Sequence, residues 1–367
     1  MTEERQIKHH RVVDYLDAHG LDAVLLSRRC NFSWYTCGAH NYVNAATDVG
    51  SSFLLVGRER AVVLTTNIEA TRLGEEELRP SEIEIAAYPY HDSGRRDAVF
   101  AKAIGSQRVA ADAAVPWTKL PPLEPDFDRL RWTLTDAEIA RYRALCRDVV
   151  RCVESAARAA APGLTEHALA AALSGRVRDA GAIPWVLLVA GDERVERHRH
   201  PLPTGMPVRR YFMLVVCAER GGLIAACTRL AAFGGIGEEL ARKHRAVATV
   251  DTALISATRP GATLGEIYAE GQQAYRAVGF GDEWRNHHQG GSCGYNPREL
   301  IATPGEKTRA LARQAFAWNP SIAGTKSEDT ILCMEAAPER LGGPTDWPAI
   351  AAEWQGRKLE RPDILAL

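Results

Sequence analysis

The chain has almost no net charge: 45 Lys and Arg stand against 46 Asp and Glu, leaving −1 at pH 7. That excludes a field strong enough to draw in nucleic acid or an anionic membrane by charge alone. Long apolar runs are missing. Stretches such as Trp185-Val-Leu-Leu-Val-Ala190 fall far short of the roughly 20 residues a spanning helix needs. The first ten residues are charged and carry no apolar core, so no signal peptide is expected. Eight cysteines are scattered with no CxxC pair and no zinc-ligand spacing. Reduced, mostly buried thiols are the expectation, and with them a cytoplasmic enzyme or binding protein.

What is present is ordinary for a globular chain, with 46% hydrophobic and 25% charged residues over 367 positions. That length suggests about two domains. Asp22–Ser27, Ser52–Val56 and Ala61–Thr66 read as strands, and Glu4–His19 and Glu69–Leu78 as helices. Such alternation points to an α/β layer. After the Pro-rich Leu120–Pro125, Thr135-Asp-Ala-Glu138 has the form of a capping box opening a helix that runs to about Ala161. The boundary is placed there, giving domains 1–132 and 133–367.

The second part carries a quiet repeat. Ala161-Pro-Gly-Leu-Thr165 and Arg259-Pro-Gly-Ala-Thr263 each follow a long helix and open a shorter one, which ends near Gly181 or Gly279. Between them, Tyr211–Leu230 reads as a hairpin of two apolar strands around Gly221-Gly222.

Three clusters hold groups able to do chemistry. In Glu196-Arg-His-Arg-His-Pro201, an extended backbone puts His198 and His200 on one face and Arg197 and Arg199 on the other. Neighbouring cations favour a neutral imidazole, which is what a general base needs. A solvated basic loop would have the same composition. The second cluster, Asn286-His-His-Gln-Gly-Gly-Ser-Cys-Gly-Tyr-Asn-Pro-Arg-Glu299, sets His287 and His288 before glycines that allow close backbone approach to a ligand; a plain turn is the alternative. The third, Ala315–Thr330, holds Asn319, Lys326, Glu328 and Asp329.

The order of hairpin, His-His-Gln-Gly-Gly, Asn-Pro-Ser-Ile and Lys-Ser-Glu-Asp-Thr resembles the creatinase, aminopeptidase P and methionine aminopeptidase family, peptidase M24. The resemblance implies an α/β chain: a smaller creatinase-like N-terminal domain, then a pita-bread domain of two α/β halves related by a pseudo-twofold. Metallopeptidases of that family bind two metal ions through two hairpin aspartates, a histidine and two glutamates. Aligned on the turn glycine and Thr228-Arg229, the aspartate positions hold Val215 and Ala226, and the first glutamate is Asn319. His288 and Glu328 remain, too few anionic oxygens for a dinuclear site.

The resemblance therefore implies a metal-independent hydrolase or lyase acting on a C–N bond of a small polar amide-like substrate, with no cofactor. His200 is the expected general base and acid, with His288 and Glu328 as its catalytic partners. Expected substrate-binding residues are His198, Arg197, Arg199, His287, Asn319, Lys326, Tyr295 and Glu299. A single metal held by His200, His288 and Glu328, a catalytically inactive binding protein, and an Xaa-Pro-type aminopeptidase are the alternatives. A homodimer is expected, with the aromatics of Asn31–Tyr42 at the interface and His40 or Tyr42 reaching the partner's site.

Overall fold

The structure, a computed structural model, describes residues 1–78 and 83–367. It divides into two compact units, Met1–Arg131 with Thr135–Ala137, and Trp132–Leu134 with Glu138–Leu367. No helix among the described residues is long and apolar enough to cross a membrane.

The first unit contains α1 (Glu3–His19), β1 (Ala23–Arg28), α2 (Arg29–Tyr35), β2 (Val49–Gly57), β3 (Ala61–Thr66), α3 (Asn67–Arg72), β4 (Glu84–Tyr88), α4 (Ser93–Ile104) and β5 (Val109–Ala111). Its sheet has the order β4-β3-β2-β1-β5. The β1–β2 and β2–β3 pairs are antiparallel, the outer pairs parallel. Leu25, Leu55, Val62, Leu64 and Phe100 pack together on one face.

Two expectations change here. The Glu69–Leu78 helix begins at Asn67 and, after Arg72, widens into a π turn over Leu73–Glu77, closed by Leu78 N donating to Leu73 O. Gly74 lies at that point and weakens the tighter helix. Phe32, Trp34 and Tyr35 are fully buried in α2. These three aromatics fill the unit's own core, so they do not anchor a subunit interface; burying such rings is among the largest apolar gains available.

The second unit contains α5 (Asp136–Arg158) from Glu138 onward, α6 (Glu166–Asp179), β6 (Ile183–Gly191), α7 (Glu193–Arg197), β7 (Tyr211–Arg220), β8 (Leu223–Ala232), α8 (Glu238–Ala257), α9 (Leu264–Ala277), β9 (Gly290–Cys293), β10 (Leu300–Ile301), β11 (Ala315–Trp318), β12 (Ser321–Ile322), β13 (Thr325–Lys326), β14 (Asp329–Leu332), β15 (Glu339–Arg340), β16 (Ala349–Trp354), β17 (Arg357–Pro362) and β18 (Leu365–Ala366). The main sheet runs β10-β9-β11-β14-β8-β7-β6.

The repeat is visible in hydrogen bonds. Gly163 N donates to Val208 O, and Gly261 N to Ala310 O. Thr165 and Thr263 cap α6 and α9 through their hydroxyls, and Thr263 with Glu266 completes a capping box. Each half thus sets a long helix, a Pro-Gly turn and a shorter helix against its strands.

The hairpin turns on Gly221 and Gly222, with φ of 59° and 80°. A two-residue turn with both central residues left-handed matches the twist of the flanking strands. Gly221→Ala is expected to lower stability by about 1 kcal/mol, the cost of placing a Cβ there. A denaturant midpoint equal to that of wild type would reject the turn assignment.

Candidate active site

The hairpin supplies the floor. Val215 pairs with Thr228 and Cys217 with Ala226, so these four side chains share one face. All are buried. The Thr228 hydroxyl is the only oxygen they carry, and it donates to Glu328 Oε2 at 2.7 Å, which fixes this face as the one toward Glu328.

Glu328 is buried just before β14. Lys326 Nζ donates to its Oε2 at 2.7 Å and Arg298 Nη2 to its Oε1 at 3.1 Å. Burial opposes the carboxylate charge, but Lys326 and Arg298 outweigh it and hold the pKa down to about 2. Both oxygens are therefore already bonded to protein donors. Strand alternation turns Asp329 the other way, into a buried ionic chain with Arg229 and Arg361, which continue to Glu154 and Asp251.

Asn319 follows β11 and is buried. Its N–H donates to Gln289 O at 3.0 Å, while its Oδ1 has no hydrogen-bond partner among the described residues. Gly290 makes this approach possible. At φ 94°, a Cβ there would lie 2.1 Å from Ala317 O and 2.9 Å from Asn319 Oδ1.

Three imidazoles come together: nitrogen atoms of His200, His287 and His288 lie within 4.8 Å of one another. The loop carrying His200 is tied down at its base. Buried Glu166 accepts from Gly191 N, Thr204 N, Thr204 Oγ1 and Arg194. Asp192, at the unusual φ of 52°, accepts from the N–H groups of Arg209, Arg210 and Tyr211. Val189 N donates to Pro201 O at 3.2 Å, next to His200 itself.

His200 is the exposed member of the three, and its Nε2 lies 3.0 Å from His287 Nε2. The buried His287 places Nδ1 3.0 Å from Ser321 Oγ, which also accepts from Arg199. Gly290 N donates to His288 Nδ1 at 3.2 Å. When neutral, the His288 ring therefore carries its proton on Nε2.

All three rings are held toward the neutral form. Loss of solvent around the ring is the main cause for each, partial at the exposed His200 and greater at His287 and His288. Lys326 adds to it at His200 and His287, and Arg298 at His288, whose pKa falls to about 4.

Several expected site residues lie elsewhere or are otherwise engaged. Arg197 ends α7 rather than lying in an extended segment, so the alternating-face picture fails for it, and it and His198 are exposed. Arg199 is bonded to Ser321 and paired with Glu283. The Tyr295 hydroxyl donates to Glu138 at 2.7 Å, and Glu299 accepts from Asn296. Arg298 and Ser321 belong to the site although the sequence reading assigned neither a role. The signal for Arg298 was an arginine ending the Gly-rich segment, but its partner is thirty residues away.

A model of metallopeptidase family M24 matches residues 140–335. The chain belongs to that family. No curated protein sequence matches it. Among solved structures, the Xaa-Pro dipeptidase from Bacillus anthracis superposes with a TM-score of 0.77 at 18% identity, covering 93% of this chain and 98% of that one. The X-Pro aminopeptidase from Thermotoga maritima MSB8 gives 0.77 at 15%, covering 96% and 100%. The N-terminal domain of FACT complex subunit SPT16 from Cicer arietinum gives 0.68 at 13%, covering 93% and 96%. At these identities the likeness establishes the fold: this M24 chain has the pita-bread architecture expected from its motifs.

Proposed function

We propose that this M24 protein hydrolyses a C–N bond of a small polar amide-like substrate without a dinuclear metal centre. The observation that carries the reading is the state of Glu328: its two oxygens are bonded by Lys326, Arg298 and Thr228. Around it, the positions where the family's metallopeptidases carry ligands hold Val215, Ala226 and Asn319. This donor set does not fit two hard dications, which need several free anionic oxygens. It also does not fit a single ion shared by His200, His288 and Glu328. Glu328 is engaged, and the His288 nitrogen facing Gly290 accepts a backbone N–H.

In the mechanism proposed, His200 takes a proton from water as the oxygen attacks the amide carbon. His288 donates Nε2–H to the developing oxyanion, and the Lys326 and Arg298 cations lower its charge cost. His200 then returns the proton to the leaving nitrogen. Asn319 Oδ1, free of partners among the described residues, accepts from a substrate N–H. We also propose a homodimer, which the resemblance to creatinase-like enzymes implies; sedimentation of a monomer at micromolar concentration rejects it.

A second reading, a binding protein on the same fold, draws on the likeness to the SPT16 domain. An Xaa-Pro peptidase draws on the likeness to the Xaa-Pro dipeptidase and the X-Pro aminopeptidase. One experiment separates the three. Purified, dialysed protein is analysed for metals and incubated with small amides and Xaa-Pro dipeptides, with and without added Mn²⁺ or Zn²⁺. Turnover of an amide in metal-free protein is expected. One or two Mn, Co, Fe or Zn per chain, or activity abolished by a chelator and restored by metal, overturns the metal-free reading. Binding without turnover of any compound favours the binding protein.

A further inference from the structure

The geometry points to His287 as a positioning residue that holds His200 by Nε2 and leaves Nδ1 as the nitrogen that exchanges protons with substrate. The inference rests on the reading of His200 as base and acid, and it names the atom involved.

Donors and acceptors around the histidine pair decide which nitrogen is free. Arg199 can only donate, so it occupies one acceptor position on Ser321 Oγ. The hydroxyl then meets His287 Nδ1 in one of two ways. If Ser321 donates, His287 carries its proton on Nε2 and donates it to His200 Nε2. If His287 Nδ1–H donates to Ser321, its Nε2 is an acceptor and takes a proton from His200 Nε2–H. In both patterns His200 Nε2 is occupied by His287 at 3.0 Å. In both, Nδ1 is the nitrogen left over, and no partner is found for it among the described residues.

The imidazolium that forms in the reaction fits the second pattern alone. With both its nitrogens protonated, His200 must donate from Nε2, and a neutral His287 accepts. The partner must therefore stay uncharged while His200 gains and loses its proton. Its surroundings enforce this: His287 is buried, with Lys326 and Arg199 as cationic neighbours. Its far nitrogen meets a hydroxyl, which can donate or accept and so tolerates either tautomer.

The support behind His287 is itself fixed. Ser321 N donates to Tyr275 Oη at 3.0 Å, and that hydroxyl is bonded to Gln289 Oε1 and Ser321 O. Arg199 is tied to Glu283. A serine at 321 with an arginine behind it is thus a built support for a neutral histidine pair.

The test is histidine ¹⁵N NMR on wild type, Ser321→Ala and His287→Gln, which separates protonated from lone-pair nitrogens, together with kinetics on the substrate found. Wild type is expected to show His200 in one tautomer with a hydrogen-bonded Nε2. Both variants are expected to show the two tautomers mixed, and to lose about tenfold in kcat, within the range of acid–base effects, with KM unchanged within about twofold. Ser321→Ala deletes only an oxygen and keeps the test valid if His287→Gln folds poorly. A wild-type His200 already in mixed tautomers, or one unaltered in both variants, overturns the assignment. If His200→Asn leaves turnover intact, the functional reading fails instead. If His200→Asn abolishes turnover while these variants keep full kcat, His287 is not the positioning residue.

Discussion

Replacing His200 by Asn is expected to lower turnover by about 10²-fold or more, the scale on which general acid–base groups act. Asn keeps much of the ring's volume and one polar edge, so binding should survive while proton transfer does not. His198→Asn should do much less, because His198 is exposed and stands outside the three-imidazole cluster. The pH dependence has a definite sign. The base works as a neutral imidazole, and burial together with Lys326 holds its pKa below the ordinary value. Turnover should therefore persist below the usual imidazole range and fall only as pH drops through the depressed value. A His200→Asn enzyme as active as wild type on the same substrate would remove His200 from the mechanism. A rate that falls with pH at or above the ordinary histidine range would contradict its environment.

The fold was legible because its signals are local. The hairpin announced itself by two apolar runs around Gly221-Gly222, and its strands end where the glycines begin. The repeated helix starts were legible because Thr165 and Thr263 act on their own first turns. The three histidines were legible as candidates through the family motif, although residues 200 and 287 meet only across the folded unit. What escaped is long-range pairing. Arg298 and Glu328 come from separate segments of the sheet side of the unit, and nothing in Asn-Pro-Arg-Glu says which carboxylate the arginine will face. Ser321 was hidden for a similar reason. A serine after Asn-Pro looks like turn chemistry, and its use depends on His287 arriving opposite. Tyr295 is a further case of long-range pairing: its hydroxyl is bonded to Glu138, 157 positions earlier in the chain. Arg197 failed because the short α7 helix runs through it, so the period-two reasoning did not apply.

Glu328→Gln is expected to destabilise the protein by about 3–5 kcal/mol, the cost of removing one partner from a buried ion pair. The carboxylate and Lys326 are both buried. Gln fills the same space but leaves the Lys326 ammonium and Arg298 guanidinium without a counter-charge in a site floored by Val215 and Ala226. The loss is one of charge rather than packing, so the double variant Lys326→Met with Glu328→Gln should recover part of it, a coupling that a double-mutant cycle measures. Acid should reproduce the single substitution. The folded-state pKa is depressed to about 2, against roughly 4.3 for an unfolded glutamate. The folded chain therefore holds fewer protons than the unfolded one between those values. The stabilisation is fully present above the unfolded pKa and is lost as pH falls from there through about 2. His288, depressed to about 4 from the ordinary histidine value, has the same sign but acts earlier, as pH falls from about 6.5. Wild type should thus weaken in two stages on acidification. Glu328→Gln should shrink the later one, to which Asp329 also contributes, and His288→Gln should shrink the earlier, to which His200 and His287 also contribute. Urea midpoints at pH 7, 5 and 3, with the slope m compared across variants, check both claims. A Glu328→Gln protein within about 1 kcal/mol of wild type at pH 7 would mean that the two cations had found water or another acid, contrary to a carboxylate buried between them.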